Sequence, residues 1–174
     1  MDKQNDQRSM ADLTSQDVAE ALTFAQQAMH GAGEIALRYF RQPMVVDNKL
    51  DAGSFDPVTC ADREIEGLLR KELGRRYPDF SIIGEEDGAT AGCSNLTWVI
   101  DPIDGTKAFI SGFPTWGILL GLQQGDRVLA GLMYQPATGE LFYGSAAGAF
   151  MRNKSQLVTM QTRQNVCLED ALLY

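Results

Sequence analysis

Two groups of carboxylates stand directly behind short apolar runs. Glu85, Glu86 and Asp87 follow "FSII" within "GEED", and Asp101 and Asp104 follow "TWVI" within "DPIDG". A strand end is where a rigid sheet presents side chains to a cleft, so the two groups converge if their strands are neighbours. Glu85, Asp101 and Asp104 then crowd several negative charges together, which either raises carboxyl pKa values or is neutralised by cations. Donor sets made of hard oxygen favour magnesium or manganese.

Pro102 holds Asp101 extended and fixes its own φ, which aims Asp101 and Asp104 at one point with the carbonyl of Ile103 between them as a third ligand type. The run "GTKAF" after Asp104 reads as the first turn of a helix, whose N–H groups at Gly105 and Thr106 favour a phosphate. Ligands for two cations beside an anion-binding turn suit metal-assisted phosphate hydrolysis, with water as the nucleophile. The single histidine, His30, and the absence of a "GxSxG" elbow leave no Ser/His/Asp set to assemble.

Each motif alone also has an ordinary reading: "DPIDG" as an acidic turn and "GEED" as a solvated loop. An EF-hand fits poorly, because Gly105 is fifth from Asp101 where that loop needs it sixth, and proline fills the second position. A structural calcium module keeps the carboxylates but makes Gly105 and Thr106 coincidental. No phosphate-binding P-loop is present.

The chain of 174 residues is 44% hydrophobic, enough for one compact unit with its own core. Its 15 Lys and Arg against 23 Asp and Glu give a net charge of −8. That balance argues against nucleic acid or an anionic membrane as partner, and makes a small anionic substrate depend on local cations. Cys60, Cys93 and Cys167 form no CxxC pair, so a zinc site is not expected and each reads as a small semi-buried residue. The odd cysteine count and the lack of a signal-peptide pattern fit a cytoplasmic location.

The elements that must position the carboxylates are legible in outline. Residues 1–13 read as a flexible leader. "TSQD" then opens a helix carrying Val18, Leu22, Ala25, Met29, Ala32, Ala36 and Tyr39 to about Phe40, with His30 inside it as a surface or packing residue. "MVVDNKLDAG" reads as a strand and loop. "TCAD" opens a second helix, with Ile65, Leu68, Leu69 and Leu73 on one face, that stops before Pro78. "FSII", "TWVI", "WGILLGLQ", "RVLAGLMY", "ELFYG", "GAFM" and "QLVTM" follow as short strands, and the last five are joined too closely for crossover helices. The fold class is α+β: two N-terminal helices packed on a largely antiparallel sheet.

"GEED" and "WVIDPIDGTKAFISGFP", preceded by "DPVTCAD" at 56–62, resemble the inositol monophosphatase family, whose superfamily includes fructose-bisphosphatases and nucleotide 3'-phosphatases. The resemblance runs from about residue 15 to 174 and implies the first half of that family's layered sandwich. It implies that Glu85 ligates Mg2+, that Asp101 bridges two Mg2+ ions, and that the Ile103 carbonyl and Asp104 complete the two sites. By the same match Asp56 and Thr106 orient and deprotonate the attacking water, and Gly105 and Thr106 bind phosphate through their backbone. The implied substrate-contacting set is Glu85, Ile103, Asp104, Gly105 and Thr106. Thr59 and Asp62 match the family's helix start.

"FISGFPTWGILLGL", "YQPATGELFYGS" and "LEDALLY" look closest to the histidinol-phosphate phosphatase branch; Lys107, where mammalian-type enzymes carry threonine, points the same way but also occurs in the nucleotide phosphatase branch. The resemblance therefore implies histidinol phosphate as first substrate and a place in histidine biosynthesis. Inositol phosphate ranks second and 3'-phosphoadenosine 5'-phosphate third. A "WDxxA" motif typical of the family's second half is not found: Trp98 and Trp116 precede Val99 and Gly117. Residues 14–174 are thus expected to form the N-terminal α+β phosphatase domain, with a bared sheet face that favours a homodimer. The competing expectation is a metal- or partner-binding fragment without turnover.

Overall fold

In the computed structural model, residues 13–43, 46–48, 57–164, 167 and 169 are described. The residues read as a leader lie outside them, apart from Leu13. Helix α1 (Ser15–Tyr39) starts where the sequence places it: the Thr14 hydroxyl accepts from the Asp17 amide at 3.2 Å, and the Asp17 carboxylate accepts from the Thr14 amide at 2.8 Å. Leu22, Ala25, Met29, Ala32 and Ala36 are buried along one stripe. His30 is exposed, its ring edge-on to Tyr134 at 4.9 Å, and so acts as a packing residue.

A short antiparallel pair, β1 (Val46–Asn48) and β2 (Pro57–Thr59), precedes α2 (Cys60–Arg76). The sequence reading provides only the first of these strands, since three residues are too few to show an alternation. Thr59 and Asp62 form a second reciprocal cap, both buried, with the Asp62 carboxylate accepting from Thr59 N at 2.8 Å and Thr59 Oγ1 at 2.6 Å. Helix α2 ends at Tyr77, ahead of Pro78.

Both helices lie on an eight-stranded sheet. In chain order its strands are β3 (Ser81–Gly84), β4 (Gly88–Thr90), β5 (Leu96–Asp104), β6 (Gly117–Gln124), β7 (Arg127–Gln135), β8 (Glu140–Ser145), β9 (Gly148–Arg152) and β10 (Leu157–Met160). The spatial order β10-β9-β8-β7-β6-β5-β3-β4 makes β6 to β10 the expected meander, and only the β3–β5 pairing is parallel. Trp98, Ile100, Ile118, Leu120 and Leu122 alternate into a core shared with Ile65, Leu69 and Leu73 of α2.

Three expectations need correction. Strand β5 does not end at Ile100 before an acidic turn; it continues through Pro102 to Asp104 with a bulge, which is where a sheet accepts proline. "GEED" is the tip of a β3–β4 hairpin whose second strand is only three exposed residues, too short to read from sequence. The cysteines are exposed thiols outside any disulfide, not semi-buried: Cys60 occupies the first position of α2. Among the described residues no helix is long and apolar enough to cross a membrane.

Candidate active site

The parallel pairing of β3 with β5 sets Gly84 opposite Ile100. The next residue of each run is a carboxylate, so Glu85, just past the end of β3, and Asp101, within β5, stand side by side. The bulge brings in the third. Asp101 pairs with Leu119 and Asp104 with Gly117, so β5 spends three steps where β6 spends two. Side chains alternate along a strand, and without the extra residue Asp104 would face away from Asp101. With it, both face the same side. The burial pattern records the same shift, since Pro102 and Ile103 are buried in succession.

The three carboxylates act on one another. Burial pushes the half-buried Asp101 carboxyl up to about 7, reinforced by the charges of Glu85 and Asp104, a hydrogen bond shared with Glu85, and the charge of Asp62 beneath. Asp101 Oδ1 is buried without a hydrogen-bond partner among the described residues. A buried carboxylate oxygen left unpaired beside two further carboxylates is a place for a positive charge.

After Asp104 the chain turns through Gly105, whose φ of 85° lies in the left-handed region, into the short helix α3 (Thr106–Ile110). A Cβ on Gly105 would stand 3.0 Å from the carbonyl oxygen of Thr115, so both conformation and space call for glycine. The Thr106 hydroxyl donates to the Ile103 carbonyl at 3.0 Å, tying the turn to the strand and leaving the hydroxyl oxygen free to accept. Asp56 lies outside the described residues. The structure thus brings together Glu85, Asp101, Ile103, Asp104, Gly105 and Thr106.

The sequence reading passes over two residues beside this group. Glu66 on α2 is wholly buried and accepts from the amides of Glu86 at 2.8 Å and Asp87 at 3.0 Å. Arg70 donates to Glu66 at 2.8 Å and also to the Gly88 carbonyl and Thr90 Oγ1. The available signal was spacing: Asp62, Glu66 and Arg70 recur every four residues, a polar stripe beside the apolar one.

The donors fit a hard cation in type and charge: carboxylates and one carbonyl, with no soft ligand among them. Among the described residues no three or more His, Cys, Asp or Glu side chains form a ready-made cation cage.

Helices over a largely antiparallel sheet, with carboxylates and a glycine turn gathered at the ends of two parallel strands, define an α+β protein with an acidic, oxygen-lined site. The chain belongs to the inositol monophosphatase family, whose model matches residues 17–174. It is 37% identical to a histidinol-phosphatase of Chlorobaculum parvum over 132 residues, covering 75% of this chain and 50% of that protein. It is 36% identical to inositol monophosphatase 1 of Solanum lycopersicum over 148 residues, covering 82% of this chain and 53% of that protein. Among solved structures, an IMPase of Thermotoga maritima superposes with a TM-score of 0.74 at 28% identity, over 84% of this chain and 55% of the other. The chain spans about half the length of these relatives.

Proposed function

We propose that the chain is the N-terminal α+β part of a Mg2+-dependent phosphomonoesterase that hydrolyses a small phosphorylated alcohol. The observation that carries this reading is the bulge in β5, which returns Asp104 to the side of Asp101 and Glu85. In this reading Glu85, Asp101, the Ile103 carbonyl and Asp104 hold Mg2+, and Gly105 and Thr106 receive the phosphate. Bound Mg2+ supplies Lewis acidity, lowering the pKa of water and neutralising charge on the leaving oxygen.

The residues' own work is positioning and proton handling. The Thr106 hydroxyl commits its hydrogen to the Ile103 carbonyl, so its oxygen can only accept, which suits orienting a water with Asp56 as the base. A water proton passes to Asp56 as the water oxygen bonds to phosphorus, the ester P–O bond breaks, and the leaving alkoxide takes up a proton from solvent.

Histidinol phosphate, giving histidinol, is the first substrate we propose. Its support is the branch resemblance together with a histidinol-phosphatase among the similar proteins. Inositol phosphate is supported equally by name, and 3'-phosphoadenosine 5'-phosphate stands third. Phosphate release by this chain from all three, with and without Mg2+, tests the proposal. Mg2+-dependent release lost in Asp101→Asn is the expected result; release without Mg2+, or retained in that variant, ends it.

A binding role without turnover is the second reading, favoured by the lack of a closed cage among the described carboxylates. It expects Mg2+ uptake with no release from any substrate. We further propose a cytoplasmic homodimer. Leu119, Met133, Phe142, Met151 and Val158 align across β6 to β10, partly exposed, on the sheet face away from α1 and α2. Sedimentation of a monomer at tens of micromolar would count against it.

A further inference from the structure

We propose that Glu66 and Arg70 are positioning residues that fix the Glu85 turn from within α2, and thereby set how tightly the site holds a divalent cation. The inference rests on the reading of Glu85 as a cation ligand.

The turn closes a hairpin in which β3 and β4 pair over three residues. Strand β4 is exposed along its whole length and, among the described residues, is the edge strand of the sheet. Helix α2 adds a second set of restraints from below. One oxygen of the Glu66 carboxylate accepts from the Glu86 amide, and the other accepts from the Asp87 amide and from Arg70. Arg70 reaches on to Gly88 and Thr90, so the pair spans the hairpin from the residue after Glu85 to the end of β4. Gly84 completes the fit: any Cβ there would collide with the Glu66 carboxylate.

Stability alone is a poor reason for this arrangement. A buried ion pair contributes little that a well-packed apolar pair of the same volume would not. An apolar pair, however, cannot accept from two successive inward-facing amides. The pair is therefore suited to setting the backbone on either side of Glu85, as hydrogen-bonded partners behind a metal ligand commonly do, at roughly 10- to 100-fold in metal affinity.

The test uses the full chain with Mn2+ alone as probe, free Mn2+ being read by electron paramagnetic resonance, together with amide hydrogen exchange at Glu86 and Asp87. Glu66→Gln/Arg70→Met removes both charges at once, leaving neither a buried unpaired charge nor a change in net charge. That variant is expected to bind Mn2+ about 10-fold more weakly and to exchange both amides faster. Glu85→Gln should weaken Mn2+ binding while leaving those amides protected. Wild-type affinity in the double variant, alongside weakened binding in Glu85→Gln, overturns the positioning role and leaves the cation reading standing. No Mn2+ uptake by the wild type, or unchanged uptake in Glu85→Gln, ends the cation reading and this inference with it. Should the double variant not fold, the wild type alone decides: Glu86 and Asp87 amides protected like those of β3 support the proposal, and exchange at unstructured rates overturns it.

Discussion

The two carriers of the acidic site are built in opposite ways. Asp101 and Asp104 sit on a central strand whose own bulge, proline and left-handed glycine aim them, all within five consecutive residues. Glu85 sits at an edge hairpin and owes its setting to Glu66 and Arg70, which precede it by 19 and 15 residues. The first carrier is a product of local backbone geometry. The second depends on packing between a helix and a turn, and should respond to changes made far from it.

The largest effect is expected at the second carrier. Gly84→Ala forces a methyl group against a buried, hydrogen-bonded carboxylate, so either β3 shifts or Glu66 loses its partners. We expect a loss of about 3 kcal/mol, read by urea unfolding. Gly84→Ala should also free the Glu86 amide. A loss under half that size, with protection intact, would mean that α2 and the hairpin are not locked together.

Asp101 sharpens the comparison from the other side. Its carboxyl is pushed up to about 7 in the folded chain from an ordinary value of 3.8, so the native state holds the proton more tightly than the unfolded one. This contribution to stability is fully present below about pH 4 and is lost as pH rises through about 7. Without metal, Asp101→Asn should therefore gain stability relative to wild type near pH 8, by about 2 kcal/mol after discounting for solvent screening of a half-buried group. Melting curves in a chelator between pH 4 and 8 measure it. A wild type and variant that track each other across that window would show that burial and the neighbouring carboxylates do not hold the Asp101 proton as their placement requires.

How much of this was legible in sequence follows the same division. "DPIDG" carries its own geometry, so Asp101, Asp104 and Gly105 were readable as a convergent set, although the bulge itself was not. A bulge is visible only once the partner strand's register is known, and Leu119 and Gly117 give no sign of it in isolation. The reciprocal caps at Thr14 and Thr59 were readable because their partners are three residues away. Glu66 was not. Its acceptors serve amides 20 and 21 residues on, and the four-residue spacing of Asp62, Glu66 and Arg70 marks a polar stripe without telling whether that stripe is buried or solvated.

Gly105→Ala should have the smallest effect on stability, although it touches the site directly. Alanine tolerates a φ near 85° at a cost of roughly 1–2 kcal/mol, and the Thr115 carbonyl must give by a few tenths of an ångström to admit the methyl group. Gly105 is exposed, so no core packing is lost with it. The strain acts on the turn that joins Asp104 to Thr106, and the Thr106–Ile103 hydrogen bond is its nearest restraint. Phosphate affinity, measured by inhibition or by equilibrium binding of inorganic phosphate, should therefore fall by more than the stability change suggests, while the exchange of the Glu86 and Asp87 amides stays as in wild type. Altered exchange at those amides would show that the two carriers are one cooperative unit after all, because a purely local strain at Gly105 has no route to the edge hairpin except through β5 and β3.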